Sequence, residues 1–302
     1  MRWLLSIAVA LGLAATVSTA QAASPLVDAD WLHDNLGQSD LVVLDVRNAI
    51  DGGSREIYEQ GHIPGAVYSN YLEDGWRVER DGVPGQLPPI ADLEKLIGGL
   101  GIDNDDHVVV TAGGTSALDM GSATRVYWTF KVLGHEEVSV LNGGHKAYAA
   151  AYPLQTGWNA PEATEFAGQF QPQYVATREQ VAKAVKSGVT LIDNRPHAQH
   201  IGAKKHPKAA TPGTIPGANN VEESKLTVNG GTFVDAEQLG ALLSEAGVES
   251  GGEQITFCNT GHWASLGWFA QSEILGNKQA RMYDGSMTDW TKHGQPVEVK
   301  AD

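Results

Sequence analysis

The chain repeats itself once, and the repeat limits what it can fold into. Residues Leu41-Val42-Val43-Leu44-Asp45-Val46-Arg47 are echoed by Thr190-Leu191-Ile192-Asp193-Asn194-Arg195. Each run leads to a Gly-x-Ile-Pro-Gly-Ala turn, at Gly61-His62-Ile63-Pro64-Gly65-Ala66 and at Gly213-Thr214-Ile215-Pro216-Gly217-Ala218. Each half continues with a helix ending in glycine (93–101 and 236–247) and a strand (108–111 and 254–257). A second helix closes on Leu133-Gly134 or Leu275-Gly276. A last strand then leads to Leu141-Asn142-Gly143-Gly144 or Tyr283-Asp284-Gly285-Ser286. Matches in this fixed order mark an internal duplication of roughly 120–130 residues, too long for a solenoid repeat.

Strands alternate with helices across short Gly/Pro turns, which predicts an α/β fold. Each half should hold a small, mainly parallel sheet with helices on both faces. Ligands in such sheets bind at the carboxyl ends of strands. Residues 153–172 are rich in Pro, Gly, Gln and Ala without clear periodicity and read as a linker. The expected units are therefore 26–152 and 173–302, joined by 153–172.

Residues 1–22 read as an export signal: Arg2 at the front, an apolar run over 4–17, and Ala20-Gln21-Ala22 for cleavage before Ala23. The run is too short for a membrane span, and no other stretch is long and apolar enough. The expectation is a periplasmic or secreted protein with no membrane partner; an uncleaved anchor is the alternative. With 36 acidic against 21 basic residues, the net charge of −15 argues against nucleic-acid binding.

Cys258 is the one cysteine in the chain. It ends the apolar run Ile255-Thr256-Phe257, and the small polar run Asn259-Thr260-Gly261-His262 follows, opening into a segment with helical character over 263–275. A strand, a tight loop and a helix in that order surround sulfur with backbone N–H groups, which favour a thiolate. With no partner cysteine, a disulfide within the chain is excluded. A free thiol is a liability in an oxidising compartment, so its retention suggests use. A buried inert thiol is the plain alternative.

These motifs together resemble the rhodanese family, specifically the exported bacterial type of two-domain thiosulfate or 3-mercaptopyruvate sulfurtransferase. The resemblance rests on Asp-x-Arg after a strand, the Gly-x-Ile-Pro-Gly-Ala turn, the strand-Cys-loop-helix element and the Asp284-Gly285-Ser286…Trp290 segment. It implies two tandem rhodanese-like domains, of which the first usually lacks the nucleophile. Superposing Val109-Val110-Thr111 on Ile255-Thr256-Phe257 sets Ala112 opposite Cys258, in keeping with a non-catalytic first domain that packs against and shapes the second.

The resemblance also implies a six-residue loop, Cys258-Asn259-Thr260-Gly261-His262-Trp263, whose amides form an anion nest backed by a helix dipole. In the implied ping-pong reaction Cys258 takes sulfane sulfur from thiosulfate, then yields it to cyanide or a thiol, without a metal or organic cofactor. Expected partners are a small anionic sulfur donor and a nucleophilic acceptor, with a protein acceptor as an alternative. A monomer is the expected state. Two further readings stand beside this one: a 3-mercaptopyruvate sulfurtransferase, and a persulfide carrier with slow turnover. Asn259 and Thr260 match neither the basic loop common in thiosulfate-using relatives nor the Gly-Ser-Gly of the mercaptopyruvate type. An Arg common in the family aligns with Gln199. Phosphatases of the same superfamily close a longer Cys loop with Arg. Here Ala264 stands sixth after Cys258 and the next arginine is Arg281, so a phosphoryl group would lack its clamp.

The remaining candidates have smaller roles. Lys204, Lys205 and Lys208 form the densest basic cluster and either steer anions or face solvent. His262 contacts substrate oxygens or faces solvent, and Trp263 packs at the pocket rim. Asp193/Arg195 and Asp45/Arg47 form structural strand-end ion pairs. Gly98-Gly99-Leu100-Gly101 reads as a helix C-cap rather than a phosphate loop. The tryptophans Trp31, Trp76, Trp128, Trp268 and Trp290 read as core or interface residues. No zinc-site spacing is seen among the ten histidines.

Overall fold

A computed structural model describes residues 23–300; the expected export signal, 1–22, lies outside the described residues. The first half runs β1 (Leu26–Val27), α1 (Ala29–Asn35), β2 (Leu41–Asp45), α2 (Arg55–Gln60) and β3 (Val67–Tyr68). A hairpin of β4 (Val78–Arg80) and β5 (Val83–Gln86) follows, then α3 (Ile90–Gly99), β6 (His107–Thr111), α4 (Ala117–Val132), β7 (Val138–Leu141) and α5 (Gly144–Ala151). The second half runs α6 (Arg178–Ser187), β8 (Thr190–Asp193), α7 (His197–His200) and β9 (Asn219–Asn220). The hairpin β10 (Thr227–Val228) and β11 (Thr232–Phe233) precedes α8 (Ala236–Glu245), β12 (Gln254–Phe257), α9 (His262–Phe269), β13 (Ala280–Met282) and α10 (Ser286–Lys292).

The main sheets are parallel, in the orders β1-β7-β6-β2-β3 and β13-β12-β8-β9. In the second half a single parallel bridge from Val175 to Met282 stands where β1 stands in the first. The central strands β2 and β6 are largely buried and read as near-continuous apolar runs rather than alternating ones. The pleat sends Val108 and Val110 into a core shared by the two halves and Val109 into a core private to the first. Ile192 likewise joins the shared core, while Leu191, Ile255 and Phe257 fill the second half's own.

The shared core is built around α4 and α9, which pack against each other. All of α4 except Leu118 is buried; most of its residues are apolar or small, and the charged Asp119, Arg125 and Lys131 are buried against the first-half loop amides, Asp284 and Glu136. Trp76, Trp128, Trp268 and Trp290 are buried as expected, whereas Trp31 is only half-buried.

Local chemistry sets the element ends. α3 begins at Ile90, three residues before the expected start, because Pro89 supplies the turn ahead of it. It ends at Gly99, and Gly101 at φ +76° takes the left-handed position, a C-cap and not a phosphate loop. The expected helix over 263–275 divides: α9 stops at Phe269 and a π-helical turn, Ala270–Ile274, carries the chain on. Segment 153–172 lies along the first half. Gln155 bridges to His62, Thr164 N donates to Gly98 O (2.8 Å) and Gln169 N to Leu133 O (2.7 Å).

The strand-end ion pairs are present in both halves. Arg47 holds Asp45 at 2.7 Å and donates to Gly61 O, 2.9 Å; Arg195 holds Asp193 at 2.6 Å and donates to Gly213 O, 2.9 Å. Each pair thereby ties a strand end to the following Gly-x-Ile-Pro turn. Burial pushes the Asp193 carboxyl up, but Arg195 and His200 outweigh it and hold it at about 2.

Candidate active site

Cys258 follows β12 at the carboxyl edge of the second sheet, 1% exposed. It lies in a pocket of about 190 Å³ shared by both halves. Asn259, Thr260, His262, Trp263 and His206 come from the second half; Ile50, Arg77 and Leu118 come from the first.

The backbone of the loop is held with its carbonyls turned outward. Cys258 O accepts from Met287 N and Asn259 O from Thr288 N, each at 3.0 Å, at the first turn of α10. Thr260 O accepts from Arg77, and Gly261 O accepts from Arg125 Nη1 at 3.1 Å. Four successive carbonyl oxygens therefore have donors outside the loop. Their negative ends are compensated away from sulfur; of the N–H ends of the same peptides, that of Gly261 goes to Ser286, and those of Asn259, Thr260 and His262 are left to dominate the concave side.

Ser286 fixes the two ends of that concavity. Its Oγ accepts from Cys258 N (3.0 Å) and Gly261 N (3.2 Å), and donates to Tyr283 O (2.9 Å). Sγ of Cys258 is 4.0 Å away. Ser286 sits at φ +51°, a left-handed conformation costing a non-glycine residue about 1 kcal/mol. The matching residue in the first half is Gly144, at φ +60°. The strain at Ser286 is offset by hydrogen bonds that glycine cannot make.

His262 corrects the expectation of a substrate contact or a solvent-facing ring. Its ring is buried between the halves, with Nδ1 2.8 Å from Tyr71 Oη and Nε2 2.6 Å from Leu118 O. Both nitrogens are thus occupied by the first half. Burial, with the nearby Arg77 charge, pushes its pKa down to about 3, so the ring is neutral.

The other candidates divide. Asn259 Nδ2 donates to Gln199 Oε1 at 2.9 Å, so the residue aligned with the family's arginine braces the loop from its side. Gly261 offers no free amide, since its N–H goes to Ser286. Trp263 is half-buried and lines the pocket. Lys204, Lys205 and Lys208 are exposed and outside the pocket lining, and Lys205 Nζ is tied to Ala209 O at 2.6 Å. Their neighbour His206 lines the pocket instead. Its pKa is lowered by burial and by Lys205 and Arg195, which disfavours a charge there.

The corresponding loop of the first half contains no nucleophile. Ala112 O accepts from His145 N at 2.8 Å as Cys258 O accepts from Met287 N, and β6 and β12 occupy matching places in their sheets. Its amides are already occupied. Asp119, third residue of α4, accepts from Gly114 N (2.6 Å), Thr115 N (3.1 Å) and Ser116 N (2.5 Å). The third residue of α9 is Ala264, which leaves the Cys258 loop without such a carboxylate.

A family model described as "Rhodanese-like domain" matches this chain twice, over residues 28–151 and 177–293. The chain belongs to the rhodanese-like family. A Mycolicibacterium smegmatis relative named "Putative thiosulfate sulfurtransferase" is 33% identical over 286 residues, covering 91% of this chain and 97% of the relative. The "Sulfur carrier protein TtuD" of Thermus thermophilus is 30% identical over 278 residues, covering 88% and 93%. Among solved structures, the 3-mercaptopyruvate sulfurtransferase SseA of Escherichia coli superposes with a TM-score of 0.77 at 28% identity, covering 87% of this chain and 99% of that one. Two rhodanese-like domains and membership of a sulfurtransferase family are thereby established.

Sequence reasoning missed the first-half residues at the site: Tyr71, Arg77, Leu118 and Arg125. They lie far from Cys258 in the chain, and only the packing of the two halves brings them to it. Leu87 N donates to Asp284 Oδ2 (2.7 Å), and Phe233 N donates to Asn142 Oδ1 (2.9 Å), so each half's hairpin segment covers the other half's loop.

Proposed function

We propose that this rhodanese-like protein transfers sulfane sulfur from thiosulfate to a nucleophilic acceptor through a persulfide on Cys258. The Cys258 thiolate forms a bond to the outer sulfur of thiosulfate. The donor's own sulfur–sulfur bond breaks, and its electron pair departs with sulfite. The persulfide anion rests among the loop amides. Cyanide or a thiolate then bonds to the outer sulfur, and the electron pair of the persulfide bond returns to Cys258 as thiolate. Charge and electrons balance in both steps, and no oxidant is consumed.

The observation that carries this reading is the set of outward-held carbonyls from Cys258 to Gly261, which leaves a buried thiol in a concavity suited to an anion. The sequence relative named for thiosulfate supports the choice of donor. The neighbour that uses 3-mercaptopyruvate favours a second donor of the same charge sign, and the relative named a sulfur carrier favours a protein acceptor. The N-terminal pattern of Arg2, an apolar run and Ala20-Gln21-Ala22 supports an address outside the cytoplasm.

Steady-state thiocyanate production from cyanide, measured side by side with thiosulfate and 3-mercaptopyruvate, tests the reading. Faster turnover with thiosulfate is expected. A clear preference for mercaptopyruvate reassigns the donor. A stable persulfide with little turnover on cyanide reassigns the protein as a carrier.

A further inference from the structure

We propose that Arg77, from the half that lacks a nucleophile, holds the anionic end of the sulfur donor. This deepens the sulfurtransferase reading and rests on it. Arg77 lines the pocket that contains Cys258. Its guanidinium is fixed by three contacts: Nε donates to Gly85 O at 3.2 Å, Nη2 donates to Thr260 O, and the Tyr71 ring centroid lies 5.7 Å from Cζ. Two of the five guanidinium N–H groups go to those carbonyls and a further one reaches Tyr71 Oη, so donor capacity remains for a ligand.

Arg77 also differs from the other guanidinium groups near this loop. Arg125 is neutralised by Asp284 at 2.6 Å and Arg195 by Asp193 at 2.6 Å. No carboxylate pairs with Arg77 among the described residues. An uncompensated, part-buried arginine in a chain of net charge −15 attracts an anion. The other pocket groups supply no competing charge. Asn259 and Thr260 are uncharged, His206 and His262 have lowered pKa values, and the lysines stand outside the lining.

The first half gives independent support for the size of the ligand. There the equivalent loop amides already bind a carboxylate, that of Asp119. The loop architecture therefore accommodates a group as large as a carboxylate. In the second half, Arg77 would meet a sulfonate or carboxylate while the reactive sulfur faces Cys258. Sulfonate and carboxylate donors share this recognition, since a guanidinium fork fits two oxygens of either.

The test separates anion binding from bracing of the loop. Arg77→Gln and Arg77→Lys are compared with wild type by the rate of Cys258 alkylation with iodoacetate, an anion, and iodoacetamide, its neutral counterpart. The expected result for Arg77→Gln is a loss of about tenfold or more in the iodoacetate-to-iodoacetamide rate ratio, with Arg77→Lys recovering much of it. KM for thiosulfate should rise by a similar factor with kcat changed far less. Parallel slowing of both reagents, leaving the ratio unchanged, would mean that Arg77 only braces the loop, and the proposal falls. A changed ratio in a protein that takes no sulfur from thiosulfate would retain Arg77 as the anion site and remove the sulfurtransferase reading instead.

Discussion

His262 stands four residues after Cys258, a spacing that suggests a thiol–imidazole pair. The structure uses it otherwise, as a neutral ring bonded on both sides by the opposite half. Its folded pKa is depressed from 6.5 to about 3, chiefly by burial. The sign of the consequence follows from linkage. Above pH 6.5 both folded and unfolded forms are neutral and there is no penalty; as the pH falls below 6.5 the unfolded histidine takes a proton that the folded one refuses. Stability is therefore lost on acidification through this window. Denaturant titrations from pH 6 to pH 4 should show a fall in stability that is shallower in His262→Gln, by up to about 1.4 kcal/mol per pH unit. Equal slopes would contradict the buried neutral ring. Cys258 and the Asp/Arg pairs were legible in the sequence because each works through its own strand and turn. The role of His262 was not, because its partners Tyr71 and Leu118 belong to the other half.

At the scale of elements, the two loop–helix units differ at one telling position. Asp119 at the third position of α4 forms a capping box with Ser116 and fills the loop amides; Ala264 stands third in α9. Ala264→Asp should therefore place a carboxylate against the Cys258 loop, favourably for the helix N-terminus and in competition with the donor. The expected outcome is loss of thiosulfate turnover by about a hundredfold, at a stability cost on the order of 1–3 kcal/mol because Ala264 is fully buried in the shared core. Retained activity, with a folded protein, would show that the open amides are not where the persulfide anion rests. β12 was read from the sequence with its observed bounds, because a short apolar run between turn residues is a strong local signal. The break in the helix at Phe269 had no such signal: no Gly or Pro stands at the change from α9 to the π turn, and α9 is positioned by packing on α4 and β13.

At the scale of the molecule, duplication has produced two halves that complete each other's loops. Arg125 of α4 carries much of this coupling: it is fully buried, pairs with Asp284 and donates to Gly261 O and Gly85 O. Arg125→Ala leaves Asp284 without a counter-charge and Gly261 O without a donor at the interface. It should cost about 3–5 kcal/mol in equilibrium unfolding. A loss below about 1 kcal/mol would show that the pair is dispensable. The sequence announced two tandem α/β units and a silent first loop. It did not show that the silent half reaches into the reactive site, since that depends on how the units dock.

The central claim is that Cys258 carries the transferred sulfur. Intact-mass measurement after incubation with thiosulfate tests it most directly. The account predicts that wild-type protein gains one sulfur atom on Cys258 and releases one equivalent of sulfite, and that Cys258→Ser does neither. Wild-type protein that stays at its original mass, or a Cys258→Ser variant that gains the same sulfur, would contradict it.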